Sequence, residues 1–277
     1  MEERSTSFWL RALRARRARI DAGGSEELVG TLKWRSPELR RAAAKFFNAA
    51  FRAEQSGLKK AHELADMVRD RDPELAEVLV LYGDEEGWHE ELLTQFLPHI
   101  GAEIEPMGRI TSLFYKAYGK ATRIDTIVLT NLLFETLGAT TYRMTLPKIE
   151  EPAIRKMLSI LSRDESFHVP LNIHLLEKMS SKHPLARLRL KLQCSLLVST
   201  MVLLPWASRP KTGIFDGLGA LELSRAYAEN MDRALRRAKG LGLGVPWIVR
   251  RALGVSRRRT LLRNSRRRPG KPLLRAA

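Results

Sequence analysis

One cysteine, Cys194, in 277 residues leaves the chain without an internal disulfide and without a cysteine-built zinc or iron–sulfur site. A reducing cytoplasm is the compartment this composition suggests. Long uncharged apolar runs are also missing. Arg4, Arg11, Arg14 and Arg16 interrupt the N-terminal segment, which therefore does not read as a signal sequence. The most apolar stretch, Leu192 to Trp206, contains Gln193, Ser195, Ser199, Thr200 and Pro205. Its length of about fifteen residues falls short of the roughly 20 that span a bilayer, so a buried helix is expected there. Two-residue alternation of apolar and polar side chains is nowhere sustained, which excludes a sizeable sheet.

Acidic residues are absent from Arg233 to Ala277, where fifteen Lys and Arg stand unopposed. The formal net charge of +17 is therefore concentrated at one end. The first 232 residues hold 33 basic and 31 acidic side chains, a net of +2. Four segments follow: a basic amphipathic stretch over 1–35, a bundle over 36–180, further helices over 181–255, and an arginine-rich tail over 256–277. Together the N-terminus and tail suggest an anionic membrane surface as partner. Nucleic acid is the weaker alternative, because no aromatic platform is interleaved with the tail arginines. A solvated extension is the plainer reading of the tail.

Helix starts are clearly signalled. Ser36-Pro37-Glu38 and Asp72-Pro73-Glu74 each combine a capping side chain, a proline in the first turn and a nearby acid. They predict helices to about Arg69 and Leu97. A crossover over 107–122 follows, then helices from about Ile124 to Met144 and from Glu151-Pro152 to about Met179. Beyond them, helices are expected over about 185–204, 216–239 and 246–253. The chain reads as all-α, a four-helix bundle with a long crossover and additional C-terminal helices.

Six residues carry the chemistry. Glu54 lies midway along the first bundle helix, and Glu86 and His89 stand three apart on the second. Glu135 and the pair Glu165 and His168 repeat this order on the third and fourth. Residues i and i+3 share a helix face, so each pair can present a carboxylate and an imidazole to one point. The two halves match, with 32 residues from Glu54 to Glu86 and 30 from Glu135 to Glu165. Four carboxylates inside an apolar bundle require cations, and two divalent metals would balance them. Oxygen donors with imidazole suit iron or manganese.

In this pattern the chain resembles the ferritin-like di-iron carboxylate superfamily over about residues 36–180. That group includes bacterioferritins, rubrerythrins, demethoxyubiquinone hydroxylases, aldehyde-deformylating oxygenases and acyl-carrier-protein desaturases. The resemblance implies that Glu54, Glu86, His89, Glu135, Glu165 and His168 are metal ligands, with Glu86 and Glu165 bridging. It further implies two iron ions, dioxygen as co-substrate and a separate electron-donating reductase. Glu85 and Asp164, each directly before a ligand glutamate, are candidates to hydrogen-bond the ligand histidines. Gly57 and Gly138, each three residues after a lone glutamate, either let helices pack closely or leave room above the metals. Tyr142 and Tyr82 lie near the same faces, whereas His174 is expected on another. The expected activity is dioxygen-dependent oxidation of a hydrophobic organic substrate, by hydroxylation or desaturation. N-oxygenation, tRNA hydroxylation and a non-catalytic metal-binding role are the alternatives.

Overall fold

The computed structural model describes residues 4–23 and 32–255, so the arginine-rich tail lies outside the described residues. Helix α1 spans Thr6–Gly23, α2 Pro37–Val68, α3 Pro73–His99, α4 Arg109–Gly119 and α5 Ile124–Thr145. A short 3-10 turn at Leu146–Lys148 leads into α6, Pro152–Met179. Helices α7 (Pro184–Asp216), α8 (Ala220–Arg237) and α9 (Trp247–Ala252) complete the described residues. No strand occurs among the described residues.

The start signals act as read. Ser36 accepts from the Leu39 amide at 3.2 Å, Asp72 from Leu75 at 3.0 Å and Glu151 from Ile154 at 2.7 Å. Each such bond satisfies one of the amides a helix start leaves unpaired. Helix α2 packs along α3, and α5 along α6. Helix α4 is the crossover between the two pairs. Its C-terminal end is held by the buried ammonium of Lys60, which donates to the Gly119 and Ala121 carbonyls at 2.8 and 3.1 Å. A cation at that position meets both the unpaired carbonyls and the negative end of the helix dipole.

The core is divided in two. One apolar cluster takes in Leu64, Leu79, Leu132 and Leu176, and the other Phe47, Phe96, Leu158 and Leu161. On each bundle helix one cluster lies before the central glutamate and the other after it. A polar layer therefore crosses the middle of the bundle, with apolar packing above and below.

Three sequence expectations need correction. Helix α3 continues through Pro98 to His99, two residues past its expected end near Leu97. Helix α7 runs unbroken from Pro184 to Asp216, through both Pro205 and Pro210, where a break was expected after 204. Each proline removes one backbone bond, but α7 packs against α2, α5 and α8 along its length. Arg209 then fastens its last turns to the Leu218 carbonyl and, inside the core, to Asp216. The helix ends at Gly217, whose φ of 69° is the left-handed conformation that favours glycine.

The third correction concerns α1. The basic amphipathic N-terminus, with the tail, suggests a membrane surface as partner, yet its apolar residues Trp9, Leu10 and Leu13 are buried in the first core cluster. The Trp9 ring packs edge-on against Phe167 with centroids 5.5 Å apart. Helix α1 is part of the bundle wall.

Candidate metal centre

The polar layer is built from two triplets. Glu54, Glu86 and His89 each bring one ligand atom to within 4.8 Å of the others, and so do Glu86, Glu135 and His168. Glu86 belongs to both. Glu165 stands at the margin of the second, its Oε2 lying 3.8 Å from His168 Nδ1. All six side chains are buried. Backbone geometry explains the convergence: each carboxylate projects inward from the middle of its helix, and i, i+3 spacing aligns each histidine with a glutamate.

The two histidines present the same nitrogen inward. His89 Nδ1 lies 3.3 Å from Glu54 Oε2, and His168 Nδ1 lies 3.0 Å from Glu86 Oε1 and 3.5 Å from Glu135 Oε2. The outer nitrogens are fixed crosswise. His168 on α6 donates through Nε2 to Glu85 on α3 at 2.9 Å, while His89 on α3 donates to Asp164 on α6 at 3.3 Å. Each sequence-read carboxylate thus orients the histidine of the opposite helix. Fixing Nε2–H in this way leaves the Nδ1 lone pair directed into the centre.

A residue the sequence reading passed over ties the two halves together. Arg16, on α1, donates to Glu85 at 2.7 Å and to Asp164 at 2.8 Å, with its guanidinium 4.3 Å from the centre of the Phe167 ring. Arg163 also donates to Asp164. Burial raises the Glu85 and Asp164 carboxyls, but hydrogen bonds from the histidines and the neighbouring arginine charges outweigh it, and both are held below their ordinary values. The spacing pattern carries no signal for Arg16, since its partners lie on other helices.

Charge at the centre is out of balance without cations. Burial, followed by the charges of Glu135 and Glu54, pushes Glu86 and Glu165 well above the usual carboxylate range. Burial lowers His89, yet hydrogen bonds to Asp164 and Glu54 prevail and bring it up to about 10. His168 is raised for like reasons, by the charges of Glu135 and Glu86. Protons thus gather where metal charge would otherwise sit. Glu54 Oε1, Glu86 Oε1, Glu165 Oε2 and His168 Nδ1 are buried and lack a well-aligned hydrogen bond, although His168 Nδ1 and Glu86 Oε1 approach to 3.0 Å. Orphaned acceptors in one place are costly unless something binds them. Two divalent metals fit this donor set.

Both glycines lie against carboxylates of the centre. A Cβ at Gly57 would lie 2.7 Å from Glu86 Oε2, and one at Gly138 would lie 3.3 Å from Glu165 Oε1. Tyr142 is buried, with a ring carbon 3.5 Å from that same Gly138 position. Tyr82 donates a short hydrogen bond to Glu135. Tyr115 on α4, not singled out by sequence, stacks on Phe134 with the rings 6.1 Å apart. His174 faces away and meets Thr6 of α1 at 3.3 Å.

No protein-family description matches the chain. No curated protein matches it by sequence. A solved structure from Synechococcus, described as "Protein 19 with aldehyde deformylating oxidase activity", is similar to it with a TM-score of 0.62 and 17% identity. The match covers 80% of this chain and 98% of that one. The chain has the fold of the ferritin-like superfamily, and the carboxylate and histidine cluster at its waist fits that fold.

Proposed function

We propose that the protein is a dioxygen-activating non-haem di-iron oxidoreductase acting on a hydrophobic organic substrate. The observation that carries this reading is the pair of buried triplets sharing Glu86, with four ligand atoms in or beside them that lack a well-aligned hydrogen bond. Glu54, His89 and Glu86 would hold one metal, and Glu135, His168 and Glu86 the other, with Glu165 closing the second side. The mixture of carboxylate oxygen and imidazole nitrogen favours iron, with manganese as the nearest competitor. The likeness in fold to a protein described as an aldehyde deformylating oxidase agrees with oxidative chemistry.

Two bound irons supply dioxygen activation at a site shielded from water. The chain's own residues do the rest. Glu85 and Asp164 hold both imidazoles with Nδ1 inward, and those histidine hydrogen bonds, with Arg16 in support, keep the two carboxylates ionised. Gly57 and Gly138 give the Glu86 and Glu165 carboxylates room to change position. Tyr82 anchors Glu135 by its hydroxyl. In a hydroxylation, one oxygen atom enters the substrate and the other leaves as water. Two electrons and two protons complete the balance, and a separate reductase protein would deliver those electrons.

The test is single-turnover chemistry. Protein loaded with Fe(II) without air should oxidise its iron rapidly when dioxygen is admitted. With a chemical reductant and a panel of long-chain acids, aldehydes and quinols, it should yield an oxidised product containing labelled oxygen or a new double bond. Iron that binds but is oxidised no faster than free Fe(II) would defeat this reading.

A further inference from the structure

Helix α7 carries an apolar stripe that no described residue covers. Leu185, Leu188, Leu192, Leu196, Leu203 and Trp206 are each more than half exposed. At 100° per residue they fall within a sector about 80° wide and run for roughly 30 Å along the helix. The opposite face is committed to the fold, with Leu190, Cys194, Val198, Met201 and Val202 buried in the core. Large uncovered apolar surfaces on folded proteins mark sites of contact.

The helix is long and apolar enough to cross a bilayer, yet only 33% of its most apolar stretch is buried. A core helix would be covered on most sides. A spanning helix would need its inner face free of α2, α5 and α8, against which it packs. What remains is a helix that lies along a surface with one face immersed.

Charge identifies that surface. No acidic residue occurs between Glu177 and Asp216, and Asp216 itself is buried. Lys191 and Lys211 are exposed on α7, and Lys182 is exposed just before its first turn. The loop before α9 packs near Lys191 at Gly242, and just beyond it Trp247 and Ile248 are exposed. From Arg233 to the C-terminus the sequence contains only basic charges. A symmetric dimer through the stripe would set these basic margins against each other. An anionic lipid surface satisfies both the apolar stripe and its positive border, and exposed tryptophans favour the membrane–water boundary.

We propose that the α7 face docks the protein flat on an anionic lipid bilayer, with Leu185 to Trp206 entering the headgroup region. This docking goes beyond the metal chemistry and does not depend on it. The test uses the full chain, without added iron, and sedimentation with vesicles. Phosphatidylcholine vesicles containing about 30% phosphatidylglycerol should bind it at least tenfold better than phosphatidylcholine alone, and high salt should weaken that binding. Replacing Leu188, Leu192 and Leu196 together by Gln should cut binding to anionic vesicles about tenfold or more. Metal content and thermal midpoint should stay unchanged, because these side chains are exposed. Failure of the parent protein to bind anionic vesicles would overturn the proposal. Undiminished binding by the triple variant would overturn it too, since the tail would then suffice. So would a parent dimer that the triple variant converts to monomer, which would make the stripe an interface between copies.

Discussion

Glu85 accepts a 2.9 Å hydrogen bond from the outer nitrogen of His168, a residue on the opposite pair of helices. Asp164 does the same for His89 in the reverse direction. Each carboxylate is adjacent in sequence to a glutamate of the centre, so backbone and side chain together couple α3 to α6. Arg16 closes the arrangement from α1 by bonding both carboxylates.

Replacing Arg16 by Leu should therefore weaken more than local packing. The Arg16 side chain is 14% exposed and its partners are almost fully buried. Removing one member of such a network should cost about 2–4 kcal/mol, toward the lower part of the range for buried pairs. Metal affinity should fall about 10–100-fold, as it does when partners of ligand histidines are lost. Arg16→Lys should recover only part of this, because an ammonium cannot fork to two carboxylates. Metal titration of both variants, with chemical denaturation, checks it.

Glu86 is common to both triplets and His174 belongs to neither. Glu86→Ala should abolish binding of both metals, whereas His174→Ala should leave the metal content intact and lower only stability. Elemental analysis of the two variants after loading separates these outcomes.

At Gly57 the expected effects on folding and on metal binding have opposite signs. An alanine gains about 0.5–1 kcal/mol over glycine inside a helix. Its Cβ, however, would sit 2.7 Å from Glu86 Oε2 and push the carboxylate aside. The metal-free Gly57→Ala protein should melt no lower than the parent, and the stabilisation gained on adding Fe(II) should shrink. Gly138→Ala should behave alike but more mildly, with its contact at 3.3 Å. Thermal melts with and without metal give the comparison.

The metal-free protein should lose stability as pH rises. His89 moves from its ordinary 6.5 to about 10 on folding. A raised value means the folded state holds its proton more tightly, so that contribution is complete below about 6.5 and lost as pH climbs through about 10. Glu86 and Glu165, also raised, act in the same sense. Bound metal supplies the positive charge in place of those protons, so the loaded protein should not show this decline. Melting temperatures at pH 6.5 and pH 9.5, with and without Fe(II), read the difference.

Much of this was legible in the sequence, for reasons that can be named. Ser36, Asp72 and Glu151 declare helix starts by local chemistry, and a local signal survives in the fold. The six residues of the waist follow from helical periodicity repeated in two halves, which is why they converge. Glu85 and Asp164 were found by adjacency, although adjacency could not tell which histidine each would meet. Arg16 was not legible, because its partners lie 69 and 148 residues away. For α1, an amphipathic pattern says that one face is apolar and does not say what will cover it. Here Phe167 and its neighbours do, rather than lipid. The same limit explains α7: Pro205 and Pro210 are strong local breakers, and packing against three helices overrides them.

The most direct measurement is the number of metal ions held at the waist. Chain loaded with Fe(II) under anaerobic conditions, desalted and analysed for iron should hold two atoms, one for each triplet. In the same assay, the double variant His89→Ala with His168→Ala should hold none while remaining helical by circular dichroism. Less than one iron in the parent protein, or two retained in the double variant, would contradict a di-metal centre built from these residues.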